Sequence, residues 1–326
     1  MFTSKFIKVL AQEIWTTFKN AVSTSLNLFK IMIPIIIAVK ILQIFDLIRY
    51  LAIPLKPIMS LVGLPAEMGL VWATTIMDAH YSAIAVFLTI SDQIPMTTAQ
   101  VTILATMMIV AHSLPVELRI VQKAGLRLPF QLVLRLGTAL FTGMMLHGFY
   151  STFGLLQDEA TILLVGSTLE SDLSLSQWGI SKIIMLRNIF LLIFFLMLFI
   201  TFLKKTGFIN MVQKVMSPLM RILGTSDKAS TVTVIGLCLG ISYGSGLILN
   251  ETKTGAMSKQ DIFGSLSFMG LNHALFEEIV IMKMLGAALS GILFVKLFFT
   301  TLLVAVLVAA VKRLPLRIKE KYIWQP

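Results

Sequence analysis

The chain has 326 residues, of which 57% are hydrophobic and only 13% are charged, and its mean hydropathy is +0.89. Soluble domains are roughly 45–50% apolar and about 25% charged, so the composition excludes a soluble protein and indicates an integral membrane protein. A single cysteine, Cys238, excludes a disulfide framework and a cysteine-built metal cluster within one chain. The net charge of +11 fits the Lys and Arg excess on cytoplasmic flanks of membrane proteins better than it fits a nucleic-acid partner.

The N-terminal stretch is too short and too polar to cross a bilayer alone. Between residues 2 and 19 its apolar positions repeat every four residues, from Phe6 to Phe18, and three lysines lie among them. This spacing predicts an amphipathic interfacial helix over residues 1–20, lying on the membrane surface.

Eight apolar segments follow, and a membrane-spanning helix needs about 20 such residues. They lie at about 22–48, 66–90, 97–114, 128–150, 178–203, 228–249, 259–282 and 286–311. Two amphipathic stretches, 50–62 and 208–223, come after the first and the fifth segment. The pattern predicts an all-α, polytopic helical bundle in the membrane.

Charge in the connecting loops orients the segments. The N-terminus and the tail 312–326 are basic, and both are expected in the cytoplasm of a bacterial cell with the protein in the inner membrane. The loop 151–177 contains acidic residues but no Lys or Arg and is expected outside, whereas the basic segment 204–228 is expected inside. The two halves of the chain are therefore predicted to cross the membrane in opposite directions.

The halves are also related in sequence at a constant offset of 161 residues. The matching features are two Pro-x-Met triplets, two Ser/Thr caps and two His/Glu pairs: Pro57 and Pro218, Thr97 and Ser258, His112 and His273, Glu117 and Glu278. This predicts an inverted repeat, a common plan of secondary transporters. The expected domains are the first repeat at 21–150, the acidic external loop at 151–177, the second repeat at 178–311 and the basic cytoplasmic tail at 312–326.

Four apolar segments in each half conflict with an odd number of crossings. The segments 66–90 and 228–249 are each interrupted near the middle by polar residues or glycines. We therefore expect each to be a re-entrant hairpin, with a broken but continuous spanning helix as the alternative.

Ionisable side chains inside the membrane cost at least about 2.5–3.5 kcal/mol each, so they mark the candidate site. The proposed substrate- or ion-binding residues are His112, Glu117, His273, Glu277, Glu278, Asn272, Asp78, His80, Ser242, Tyr243 and Ser245. The alternative interpretation is buried polar packing between the halves. Lys296 is interpreted as a snorkelling side chain.

The sequence contains no cofactor motif, and no cofactor is expected. His273 and Glu277 are four residues apart and would share a helix face, so His112, His273 and Glu277 are the candidate ligands if a metal binds. No nucleophile–base arrangement stands out, so an enzyme is the least favoured class. The expected partners are the lipid bilayer and a small-molecule or ion substrate, with no nucleic acid; homodimerisation is compatible with the pattern.

Two segments resemble a known family: PLKPIMSLVGLPAEMGLVW with HYSAIAVF, and MSPLMRILGTSDKASTVTVIGLCLGISYGSG. Each precedes a capped helix, and together they resemble the Gate, or nucleoside-recognition, domain. That domain occurs in spore maturation proteins A and B, in concentrative nucleoside transporters and in the membrane part of ferrous-iron transporter B. The resemblance implies a helical core with two Gate-like repeats and re-entrant or broken elements. The Gly-Cys-x-x-Pro-Ala pattern of the iron transporters is absent.

These observations lead to three functional hypotheses. The first is a secondary transporter for a small polar solute, with nucleoside-like solutes among the candidates, coupled to protons or sodium. The second is a divalent-metal permease that uses the same His and Glu side chains. The third is a non-transporting membrane partner or assembly factor, in which the polar residues serve folding alone.

Overall fold

The computed structural model describes residues 2–45, 47–78, 80–91, 93–164, 174–240, 247–249 and 257–325. The described part of the chain is helical and contains no named strand. In the first half the elements are α1 (Phe2–Ile44), α2 (Ile48–Ala52), a 3-10 turn (Ile53–Leu55), α3 (Lys56–Leu61), α4 (Met68–Met77), α5 (His80–Ile90), α6 (Thr98–Val110), α7 (Leu114–Lys123) and α8 (Leu128–Phe153). In the second half they are α9 (Leu175–Lys205), α10 (Phe208–Ile222), α11 (Asp227–Leu239), α12 (Lys259–Asn272), α13 (Leu275–Met284), a π-helical turn (Ser290–Val295), α14 (Lys296–Arg313) and α15 (Leu316–Tyr322).

Five helical stretches within the described ranges are long and apolar enough to cross a membrane. They are Ala11–Ile44, Thr98–Lys123, Leu128–Phe153, Leu175–Leu203 and Ser290–Arg313. Thr98–Lys123, which comprises α6 and α7, is the most enclosed, since 83% of its apolar 18-residue stretch is buried inside the protein. The predicted all-α membrane bundle is confirmed, with α6 near its centre.

The N-terminal stretch is not a separate element, contrary to the expectation for residues 1–20. Helix α1 runs for 43 residues without a break and contains Pro34. The four-residue spacing of its first apolar positions continues into the longer apolar run, so nothing in the local sequence ends the helix there. A surface location for its first turns stays a prediction.

The two halves repeat local structure in one register. Helices α7 and α13 occupy 114–123 and 275–284, and α1 and α9 end at Ile44 and Lys205, all 161 residues apart. Left-handed backbone recurs at the same offset in three pairs: Gly63 and Gly224, Ser113 and Ala274, Gly125 and Gly286. The opposite orientation of the halves in the membrane stays a prediction.

Residues 66–90 form a helical hairpin in which α4 packs against α5. Gly69 at the start of α4 faces Leu55, in the 3-10 turn that follows α2. The end of α5 is held near the end of α1, where Gln43 Nε2 donates a hydrogen bond of 2.8 Å to the Thr89 carbonyl. Both ends of the hairpin therefore lie beside the end of α1, and its turn at Asp78 lies at the far end. In the second half α11 ends at Leu239, and residues 241–246 of the expected hairpin lie outside the described residues.

The basic tail folds back onto the bundle. The Arg127 amide donates to the Ile323 carbonyl at 2.7 Å, and Arg127 Nε donates to the Trp324 carbonyl at 2.8 Å. The Trp324 ring packs edge-on against Phe263 of α12. The end of the chain is thus anchored at the turn between α7 and α8.

Candidate functional site

The candidate site is built around two helix breaks at matching positions of the two halves. Helix α6 ends at Val110 and α7 begins at Leu114, with Ser113 in left-handed backbone (φ 45°) and Pro115 in the first turn of α7. Helix α12 ends at Asn272 and α13 begins at Leu275, with Ala274 at φ 52°. A histidine precedes each left-handed residue.

Side chains bond to carbonyl groups of the last helical turn before each break. His112 Nδ1 lies 3.1 Å from the Ile109 carbonyl oxygen, and His273 Nδ1 lies 3.0 Å from that of Met269. Arg135 Nε of α8 donates to the Val110 carbonyl at 3.0 Å. Broken helices inside an apolar bundle need such partners, and the same bonds hold both imidazole rings in place.

The turn of the α4–α5 hairpin meets the first break. The Ser113 amide donates to the Thr75 and Asp78 carbonyls at 2.9 and 3.2 Å. This contact brings His80, the first residue of α5, next to His112, with ring centroids 3.9 Å apart. The hairpin therefore adds a third imidazole that the second half does not match.

The two breaks face each other, and their histidines meet. The Nε2 atoms of His112 and His273 lie 2.8 Å apart. Oε1 of Glu117, in the first turn of α7, lies 3.2 Å from the first nitrogen and 3.1 Å from the second. All three side chains are buried, so the two halves of the chain are joined by a polar contact inside the protein.

Each buried carboxylate also has its own buried cation. Glu117 Oε2 is paired with Arg135 of α8, and Glu278 Oε2 lies 3.3 Å from Lys296 Nζ of α14. Glu278 Oε1 lies 3.5 Å from His80 Nε2. We call the following seven side chains the polar cluster: His80, His112, Glu117, Arg135, His273, Glu278 and Lys296. Its two carboxylates and two permanent cations balance, as buried charges must.

Several predicted site residues lie outside the polar cluster. Because the chain is extended at His273 and left-handed at Ala274, the four-residue helical spacing from His273 to Glu277 does not apply. The shared helix face expected for these two residues was therefore wrong. Of the two predicted glutamates, Glu278 lies in the polar cluster, whereas Glu277 accepts a 3.0 Å hydrogen bond from the Tyr81 hydroxyl.

The remaining predicted residues have local partners. Asp78 accepts a 2.5 Å hydrogen bond from Ser82, and Asn272 Nδ2 donates to Thr300 Oγ1 at 2.9 Å. Ser242, Tyr243 and Ser245 lie outside the described residues.

Sequence reasoning missed both cations of the cluster. The snorkelling interpretation of Lys296 was wrong, because its side chain is fully buried and paired with Glu278. Arg135 was not considered, although it lies 161 residues before Lys296. One sequence signal could have identified both cations. Each repeat has a basic residue 18 residues after its matched glutamate.

Among the described residues, two groups of three side chains bring possible metal-ligand atoms within 4.8 Å of one another: His80, His112 and Glu278, and His112, Glu117 and His273. Two nitrogen ligands about 2.0–2.1 Å from one tetrahedral zinc ion lie about 3.3 Å apart. The 2.8 Å between His112 and His273 is shorter, and Arg135 and Lys296 already neutralise the two carboxylates. We assign neither group as a metal site.

Comparison with known proteins agrees with this architecture. Residues 186–289 match the Gate family model, described as nucleoside recognition. This part of the chain is similar to the Gate domain. Over 292 residues it is 24% identical to the uncharacterized membrane protein YvoD of Bacillus subtilis (strain 168), covering 86% of this chain and 89% of that protein. No solved structure matches the chain.

The matched region contains the second of the two helix breaks. It includes His273 and Glu278 and ends just before the π-helical turn that leads to Lys296. The repeat offset places its first-half counterpart over residues 25–128, which include His112 and Glu117. The Gate match and the structural repeat therefore locate the polar cluster at the contact between two corresponding regions.

Proposed function

We propose that this Gate-domain membrane protein is a secondary transporter for a small polar solute, located in a bacterial inner membrane with both termini in the cytoplasm. One observation carries the proposal: the 2.8 Å contact between His112 and His273, at matched breaks in the two halves. Broken helices that meet at the interface of two repeats are where secondary transporters bind substrates and coupling ions.

The cost of the polar cluster supports a functional role over packing alone. Glu117, Glu278 and Lys296 are no more than 5% exposed, and each buried charge needs both a partner and hydrogen bonds to be tolerated. Apolar side chains of similar volume would join two helices at a lower cost. The Glu278 Oε1 and His80 Nδ1 atoms are buried without a hydrogen-bond partner among the described residues, so the cluster retains polar atoms that a solute could engage.

The charge balance favours an uncharged solute. Both carboxylates of the polar cluster are paired with basic side chains, so any excess charge is confined to the histidines and no fixed negative charge remains to attract a cation. The imidazole and carboxylate groups of the cluster can form hydrogen bonds with the donors and acceptors of a nucleoside or nucleobase. These compounds, in line with the Gate description, are the first candidates.

A ligand screen on the purified protein tests the proposal. Thermal unfolding is followed with nucleosides, nucleobases, Na⁺ and divalent cations, because a ligand at about 100 times its Kd adds about 2.7 kcal/mol to the folded state. We expect a nucleoside-like compound to raise the Tm of the parent and of His147→Gln, whose histidine lies outside the cluster. The shift should be lost in the double variant His112→Ala/His273→Ala.

Uptake into proteoliposomes completes the test. The compound that raises Tm should exchange across the membrane in counterflow, and His273→Gln should change the exchange rate while His147→Gln does not. If no compound shifts Tm and the variants are as stable as the parent, the transporter proposal fails. A shift produced only by a divalent cation would instead support the metal permease.

A further inference from the structure

The tautomers of the two facing histidines follow from their backbone contacts. A carbonyl oxygen can only accept a hydrogen bond. His112 Nδ1 faces the Ile109 carbonyl at 3.1 Å, and His273 Nδ1 faces the Met269 carbonyl at 3.0 Å. Each ring therefore carries its hydrogen on Nδ1, and in the neutral form each Nε2 has a lone pair and no hydrogen.

These two lone pairs point at each other across 2.8 Å. The third atom of the group, Glu117 Oε1, is also an acceptor, because Arg135 holds the other oxygen of that carboxylate and keeps it ionised. Three acceptors within 3.2 Å of one another repel unless a positive species lies between them. A distance of 2.8 Å is that of an N–H···N hydrogen bond and is too short for two nitrogens on one tetrahedral metal ion.

We propose that His112 Nε2, His273 Nε2 and Glu117 Oε1 form a proton-binding site that holds one proton between the two halves of the chain. The proton resides on Nε2 of one histidine and is donated to Nε2 of the other and to the Glu117 carboxylate. Its part in transport rests on the proposed function, whereas its presence does not.

The charged and titratable groups around this site come from four further helices. They are His80 of α5, Arg135 of α8, Glu277 and Glu278 of α13 and Lys296 of α14. Arg135 and Lys296 are each compensated by a carboxylate, and the His112 Nε2 atom lies 3.7 Å from Glu278 Oε1. The carboxylates of Glu117 and Glu278 favour a positive charge on the histidine pair. The cations Arg135 and Lys296 oppose it, but each is paired with one of these carboxylates.

The bridging proton couples proton binding to the contact between halves. With the proton in place, the first-half break and the second-half break are joined by a charge-assisted hydrogen bond. When the proton leaves for water in an opened site, both lone pairs are restored and the contact becomes repulsive. Separation of the halves and release of one proton are therefore linked, which makes a proton the coupling ion.

The site is tested directly by solid-state NMR of protein labelled with 15N-histidine, in lipid at neutral pH and without solute. The chain has only four histidines, so single His→Gln variants assign every signal, and His147→Gln serves as the control. We expect both cluster rings to be protonated at Nδ1 and to share one proton at Nε2 with each other or with Glu117. Two bare Nε2 atoms, or a ring with its only hydrogen on Nε2, would overturn the proposal.

A transport measurement tests the coupling separately. In His273→Gln the side-chain amide supplies a permanent N–H donor to His112 Nε2, so the contact needs no proton. We expect the number of protons that move with each solute molecule to fall from one to none in the transport that the variant retains; His112→Gln is the mirror variant. An unchanged proton-to-solute ratio in both variants sinks the coupling role. If the parent protein moves no solute, the proposed function fails, while the NMR result still decides whether the proton site exists.

Discussion

The Nζ atom of Lys296 lies 3.3 Å from Oε2 of Glu278, and both side chains are at most 1% exposed. The first half contains the corresponding pair, Arg135 and Glu117, with the same separation of 18 residues along the chain. In each half, a carboxylate lies in the first turn after the helix break, and a cation on the next long helix pairs with it. Since buried charges are tolerated only in pairs, the two long helices α8 and α14 are tied to the site.

Replacement of Lys296 by Met should therefore destabilise the protein strongly. The variant leaves the Glu278 carboxylate buried without its cation, which costs about 3–5 kcal/mol. Thermal or denaturant unfolding in detergent measures the loss. Addition of Glu278→Gln in a double variant removes the uncompensated charge and should recover a large part of that stability.

The control for this cycle is Lys283→Met, because Lys283 is an exposed residue at the end of α13. Its effect should stay within about 0.5 kcal/mol. Additive losses in the Lys296/Glu278 double variant would show that the two side chains do not interact.

Arg135→Lys tests whether the first-half cation needs two contacts. The guanidinium donates both to the Val110 carbonyl and to Glu117, whereas a lysine ammonium is a single compact charge on a flexible chain. We expect a loss of about 1–3 kcal/mol, the cost of a buried carbonyl left without its partner. The reciprocal change, Lys296→Arg, serves as the comparison, and equal stability of Arg135→Lys and the parent would contradict the second contact.

Ala274→Gly should raise stability, unlike most glycine substitutions. Ala274 has a φ of 52°, and left-handed backbone costs an L-residue about 1–2 kcal/mol that glycine does not incur. Part of this gain is lost because glycine is more flexible in the unfolded chain. The control is Ala139→Gly inside α8, which should destabilise by about 1 kcal/mol; a loss of stability in both variants would show that Ala274 is unstrained.

Gly63 and Gly224 are repeat-related and both left-handed, with φ of 68° and 64°, but their surroundings differ. A Cβ atom on Gly63 would overlap the His147 ring, whereas one on Gly224 would meet only the flexible end of Lys312. Gly63→Ala should therefore cost about 1–3 kcal/mol more than Gly224→Ala, as expected for overpacking. Unfolding of the double variant Gly63→Ala/His147→Ala should show most of that difference restored, and failure of this rescue would place the strain elsewhere.

The sequence by itself determined the class of protein and its internal register. Apolar segments long enough to span a bilayer and the helix caps at Thr97 and Ser258 are local patterns, and the structure has both. Local patterns are reliable here because the lack of water in a bilayer forces backbone groups into helices or bonded breaks. The 161-residue offset was likewise readable, since it compares one local pattern with another.

Only the tertiary structure decided which side chains form the site. The left-handed residue Ala274 turns α13 so that Glu278, and not Glu277, faces the histidines, and a rotation at a break cannot be read from helical spacing. The pairing of Lys296 with Glu278 joins two helices, so it depends on how those helices pack and not on the composition of either. A lysine in an apolar run has the same local sequence whether its side chain reaches the membrane surface or a buried carboxylate. In this protein α14 packs against α12 and the π-helical turn, and the Lys296 side chain is paired with Glu278 inside the bundle.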